Sequence, residues 1–303
     1  MPSEQSKMKK KLFTLLFFFG ALLALISCED TQQEKNTVDQ EVFDPNSRIT
    51  GRFDNRLFSI PSPVQTSYLL KRLEIDFETA LLNDVKNVND YITETKQALN
   101  LGVYGADLGY TSLYDQKATS IKYLSSIQKL SSQLGLDVAF DTSFYNRFKN
   151  EGADGDSMIL LMAEAFKRAD FFLKESQRKS VTALILTGGW IESLHFACEL
   201  EKKNSSPEIR RRIGEQKRSL ASVVEILQEH NEDRSNDGLI ENLIDLKASF
   251  ENIQSKYTYA APETDSENRL TIFNHDLEVI LEDNLLKEIH EKVKKIRNEI
   301  ITT

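Results

Sequence analysis

ALILTGGWIESLHFA, residues 183–197, is apolar on almost every side of a helix. A surface helix shows a single apolar stripe, whereas a helix that is greasy most of the way round belongs inside a larger domain. The preceding run MILLMAEAFKRADFFL, residues 158–173, has the same character. The chain is therefore read as an all-α body with buried helices at its centre and amphipathic ones around them.

Outward from that run, helix signals recur. Ser62-Pro63-Val64-Gln65 combines a capping serine, a first-turn proline and a capping-box glutamine, and opens a helix to about Leu73. A long helical pattern spans about Val85 to Tyr114. A third runs from Gln116 to Leu134, with Ile121, Leu124, Ile127, Leu130 and Leu134 at three- and four-residue spacing and Gly135 just past its end. A short helix follows Asp141, and Asp156 caps another from Ser157 to about Glu175. The central helix spans about Lys179 to Leu200, and Ser206 caps one that runs to about Glu229. Leu239–Tyr257 and His275–Ile301 complete the set. The last places Leu286, Ile289, Val293, Ile296 and Ile300 on one seam for a partner helix. No convincing strand run is seen. The expectation is an antiparallel bundle of about eight or nine helices over residues 61–303.

The N-terminus follows different rules. Lys7, Lys9, Lys10 and Lys11 precede an apolar run, Leu12 to Ile26. As a helix that run reaches ~22 Å, short of the ~30 Å hydrocarbon core, so it reads as a secretory signal and not as a span. Leu25-Ile26-Ser27-Cys28 closes it: two aliphatic residues, a small one, then cysteine. This end resembles the lipobox of bacterial lipoproteins. The resemblance implies cleavage before Cys28 and attachment of palmitate-type acyl chains there, dividing the chain into a signal peptide (1–27), a lipidated tether and extended segment (28–60) and the helical domain. Residues 29–50 are polar, acidic and without periodicity, as a tether requires. Phe53, Leu57, Phe58 and Ile60 should lie along the body. Glu29 and Asp30 resemble the export signal of Bacteroidota-type surface lipoproteins, which implies a cell-envelope, outer-membrane location. The segments LGVYGADLGY and ALILTGGWIESL are similar to an uncharacterised family of helical envelope lipoproteins of that group, a resemblance that implies no mechanism.

Composition limits the partners. The whole chain carries a formal charge of −9, and loss of residues 1–27 removes one acid and four lysines, moving it to −12. An acidic body lacks the footprint for nucleic acid and is repelled by anionic headgroups, so lipid on Cys28 must hold it at the membrane. With Cys28 acylated, Cys198 stands alone on an apolar face and reads as an inert buried thiol.

Three constellations could carry chemistry. In LNLGVYGADLGY (99–110), Ala98, Gly102, Gly105, Ala106 and Gly109 share one side of a helix. Helical glycines cost about 1 kcal/mol each, so either a close helix crossing or room for a ligand compensates. The ligand version puts Asp107, Tyr110, Tyr114 and Trp190 around a pocket between the 98–114 and 181–200 helices. The second is Glu192, His195 and Glu199, half of a di-iron motif without its second copy. They read as the wetter face of their helix and only a weak metal set. The third, Asp233-Arg-Ser235-Asn-Asp237-Gly238, resembles the start of a calcium loop but has Ile244 where the bidentate glutamate belongs, so it reads as a polar turn. Arg210-Arg211-Arg212 reads as a solvated face. No nucleophile set or phosphate loop is visible. The expectation is a non-enzymatic binding or structural protein without a cofactor, facing another envelope protein; the alternative is a small-molecule or metal-binding one.

Overall fold

The computed structural model describes residues 49–302 apart from 54–55, 61–62, 138–139, 152–156, 158–160, 162–163, 166–167, 170, 174, 266–269 and 273–275. The signal segment, Cys28, the tether to residue 48, and the caps assigned to Ser62 and Asp156 lie outside the described residues. The described part is an all-α body with a little sheet.

Nine α-helices are described over their full length: α1 (Pro63–Arg72), α2 (Glu94–Leu113), α3 (Lys117–Gln133), α4 (Thr142–Glu151), α5 (Lys179–Asn204), α6 (Pro207–Gly214), α7 (Gln216–Glu229), α8 (Asp237–Glu251) and α9 (Asp283–Ile301). Helical residues also occur between 157 and 175. α2 and α5 are the central pair. Every residue from Ala98 to Leu113 is buried, and α5 is buried from Val181 to Ala197 except at Leu186. α5 is long and apolar enough to cross a membrane, but 94% of its most apolar window lies inside the body, so it is a core helix.

The two central helices touch backbone to backbone. A Cβ added at Gly102 would sit 2.0 Å from the Ile185 carbonyl oxygen, and one at Gly188 would sit 1.9 Å from that of Leu99. The glycines thus remove the side chains that would hold the helices apart. α1 and α9 pack on both, α3 packs on α2, and α7, α8 and α9 follow as antiparallel neighbours. The last helix is tied down at its end. Lys96 Nζ donates to the carbonyls of Glu299 and Thr302, Asn100 Nδ2 to Ile300 at 3.0 Å, and the Tyr91 hydroxyl to Ile301 at 3.1 Å. Carbonyls that a helix C-terminus leaves without intrahelical donors are satisfied this way.

Several expected helices end early, for local reasons. The Val85–Tyr114 pattern is split. Val85–Asn89 is a 3₁₀ turn capped by Asp84, and α2 starts afresh where the Thr93 hydroxyl accepts from the Lys96 amide at 3.2 Å. Short polar side chains that bind nearby backbone compete with a continuous helix. Ser206 caps α6 as expected, accepting from the Ile209 amide. The 206–229 helix is interrupted after Gly214, where Val279 Cγ1 occupies the space a Cβ would need.

Strands, which the sequence did not suggest, account for the other differences. β1 (Ile49–Phe53) and β2 (Arg56–Ile60) pair antiparallel, Ile49 opposite Ile60, and β2 lies against α7. Where helices were expected to reach Tyr257 and to begin at His275, the chain makes a hairpin. β3 (Gln254–Thr258) pairs with β6 (Asp276–Ile280), and beyond them β4 (Glu263–Asp265) pairs with β5 (Leu270–Ile272). All five residues of β3 are exposed. Without a buried face there is no apolar alternation to mark the strand, so its signal is weak.

Candidate functional site

The most charged part of the interior lies where α2, α5 and α9 meet. Arg297 Nε and Nη2 each donate to a different oxygen of Glu192 at 2.8 Å, a bidentate pair. Glu192 is wholly buried and Arg297 almost so. Burial pulls the Arg297 pKa down, but the Glu192 carboxylate overrides it and raises the net value, keeping the guanidinium charged. Asp107 is also wholly buried; its Oδ2 accepts from the Asn83 amide and its Oδ1 has no hydrogen-bond partner among the described residues. Burial first, and then the Glu192 charge, push its carboxyl well above the usual range, against a smaller opposing pull from Arg297. Desolvation and the nearby like charge both favour the protonated form of the Asp107 carboxyl. The node is thus an Arg297–Glu192 ion pair beside a carboxyl that burial biases toward its neutral form.

Around the node runs a loop whose Leu81, Asn83, Val88 and Tyr91 are buried. Residues 73–93 connect α1 to α2 and lie against the core, where backbone polar groups need partners. Asp107 Oδ2 accepts from the Asn83 amide at 3.3 Å. The Tyr123 hydroxyl donates to the Asn83 carbonyl at 2.8 Å, Arg297 Nη2 to that of Leu81 at 2.8 Å, and Tyr104 to that of Asp84 at 3.0 Å. Tyr110 accepts from the Glu78 amide at 3.0 Å, and Tyr114 donates to the Ile75 carbonyl at 2.7 Å. Phe77 stacks on Tyr110 at 5.2 Å. Desolvation raises the phenols of this set, Tyr110 to about 12, so they stay protonated and able to donate.

Tyr110 and Tyr114 lie ring to ring at 4.8 Å and bind the loop at Glu78 and Ile75, whereas Asp107 binds it further along, at Asn83; the polar atoms of all three face the protein's own chain. Trp190 does not join them. It faces the other way, its Nε1 donating to Gln216 Oε1 at 3.0 Å. Between the 98–114 and 181–200 helices there is backbone contact at Gly102 and Gly188.

The Glu192, His195 and Glu199 face is corrected more strongly. It is not the wetter side of α5 but packs on α9. Glu199 Oε1 meets His290 Nε2 at 2.8 Å, while His195 is buried with no partner on Nδ1. Burial, and then the Arg297 charge, hold the His195 imidazole down at about 2, so it is neutral. Arg297 and His290 engage the carboxylates that a metal would need. No group of three or more metal-ligating side chains occurs among the described residues.

Other expectations are settled nearby. The 233–238 segment is a turn in which Asp233 accepts from the Ser235 amide at 3.0 Å. Arg210 is not a solvated charge, since it bridges Glu201 and Asp283. Cys198 is buried, which pushes its thiol pKa up.

No family model, curated protein or solved structure matches this chain.

Sequence reading missed Arg297, Asn83 and His290. For Arg297 and His290 a signal existed. They stand seven apart beside Ile289 and Ile296, at the heptad spacing of the apolar seam. Asn83 sits in a loop without periodicity and gives no such sign.

A separate feature adjoins the glycine helix. Gly105 faces an apolar cavity of about 60 Å³, walled by Leu101 and Leu108 on α2, Ile185 on α5 and Phe144 and Phe148 on α4. The glycine strip thus has two uses: Gly102 closes the crossing with α5, and Gly105 borders open space.

Proposed function

We propose that this chain is a lipid-anchored cell-envelope protein, held through acyl chains on Cys28 at the outer membrane, with a non-enzymatic binding or structural role toward another envelope protein. The observation that carries the reading is the run from Lys7 to Cys28: a basic start, an apolar stretch too short to span, and Leu-Ile-Ser-Cys at its end. The acidic composition supports lipid in place of surface charge as the attachment. The buried carboxylates, arginine and tyrosines of the body hold its loop and helices, which supports a scaffold role for those groups. Feeding cells an alkyne-bearing fatty acid tests the anchor. The chain should take up the label at an N-terminal cysteine that begins the mature protein, and a chain that keeps residues 1–27 and takes up none would overturn the proposal.

A second reading, a small-molecule-binding envelope protein, is favoured by the cavity beside Gly105.

A further inference from the structure

The cavity beside Gly105 is lined almost wholly by carbon. Ser131 and Tyr145 stand in its wall but turn almost no polar surface into it. A water needs two or more polar partners, so this space stays dry and favours apolar occupants. Its size narrows them. At about 60 Å³ it is well under the ~150 Å³ of an apolar cavity that takes benzene, so it suits a few aliphatic carbons and not a ring.

Part of the wall is a row of rings. Phe140, just before α4, and Phe144 and Phe148 on it follow one another at four-residue spacing, with centroids 5.3 Å and 5.0 Å apart, and all three are buried. α4 packs chiefly on α3. Leu101 and Leu108 of α2 and Ile185 of α5 also wall the cavity, so it lies where the rings of α4 approach the central pair. Carbons that face an empty gap lose dispersion contacts, which an apolar occupant restores. Charges of both signs stand beside this wall. The Arg168 guanidinium lies 5.0 Å over the Phe144 ring and pairs with Glu164, which Arg147 also binds, and Asp141 lies near Arg168. Recognition therefore rests on the carbon wall alone.

We infer that this cavity holds the methyl end of an unbranched alkyl chain, whatever group that chain carries outside. The inference deepens the small-molecule reading above and rests on it; it does not depend on the anchor. The end of a free lipid chain and the end of an acyl group on Cys28 share this chemistry.

The test uses the full-length chain and hexadecanol carrying a diazirine either near its terminal methyl or beside its hydroxyl. On irradiation the tail-labelled form should mark the peptides containing Leu101–Leu108 and Phe140–Phe148 about tenfold more than the head-labelled form. Palmitic acid with the same tail diazirine should label them as well as the alcohol does. Ala169→Leu adds carbon to the wall and should cut tail labelling about tenfold. If that variant does not fold, Phe148→Ala enlarges the space and should take up benzene, which wild type excludes; if neither folds, the contrast between head and tail in wild type decides. Should wild type resist the probe and Cys28→Ser accept it, the chain's own acyl end is the occupant; should both accept it, a free chain is, and the site stands in either case. Equal labelling by head and tail, or a folded Ala169→Leu that labels as wild type does, would overturn the inference. Uptake of benzene by wild type, with no labelling by alkyl tails, would overturn it and leave the small-molecule reading standing. No occupant of any kind in wild type or Cys28→Ser would overturn both.

Discussion

Arg297 and Glu192, 105 residues apart in sequence, form a bidentate ion pair at 2.8 Å between the last helix and the central one. Arg297 extends this link to the loop before α2 through the Leu81 carbonyl. Removing one partner leaves the other charge buried and alone. Glu192→Gln and Arg297→Met should each cost about 3–5 kcal/mol in urea unfolding. The double variant Glu192→Leu/Arg297→Met should lose less than the sum of the two, because no orphan charge remains. Single variants within about 1 kcal/mol of wild type would show that the pair is not structural.

Asp107 sets a pH dependence of opposite sign to the usual carboxylate. Its pKa is raised in the folded state, so folding holds the proton that the unfolded chain releases first. The stability it contributes is complete below the unfolded value near 4 and is lost as pH rises toward the folded one. Asp107→Asn mimics the neutral acid, and should gain on wild type between pH 5 and pH 8 in parallel urea melts. A constant difference between the two proteins across that range would mean that Asp107 is already ionised.

His195 works on the acid side. Its folded pKa is depressed to about 2, below the unfolded value of 6.5. Its stability is therefore present above pH 6.5 and is lost as pH falls toward 2, at about 1.4 kcal/mol per unit. Between pH 6.5 and pH 5, His195→Leu should lose about 2 kcal/mol less than wild type. Equal losses would place the imidazole in contact with water.

The helix crossing predicts a sharp contrast among glycines. Gly188→Ala would push a methyl to within 1.9 Å of the Leu99 carbonyl oxygen, which must move the two central helices. The expected cost is about 3 kcal/mol or more, at the upper end of overpacking effects. Gly238, on α8, has nothing within 4 Å of an added Cβ. Gly238→Ala should instead gain up to about 1 kcal/mol. Thermal melts of the two variants should move in opposite directions.

The helical class was readable because Leu286 to Ile300 and Ile121 to Leu134 keep three- and four-residue spacing, and because residues 183–197 are apolar on most sides of a helix. The close crossing was readable in Gly102. The polar node was not. Glu192 and His195 look like solvent residues on a helical wheel, and only the arrival of α9, about 100 residues later in sequence, makes that face interior. The hairpin at 254–280 was missed because β3 buries none of its residues, so no alternating pattern separates it from a helix end. The loop at 73–93 carries no period at all; its place is set by tyrosines on other elements.

The reading of the whole chain depends on acylation at Cys28, which cell fractionation of Cys28→Ser tests directly. Wild type should sediment with membranes and resist a high-salt wash, and the variant should leave the acylated membrane fraction. A variant that still sediments and resists salt as wild type does would contradict the account.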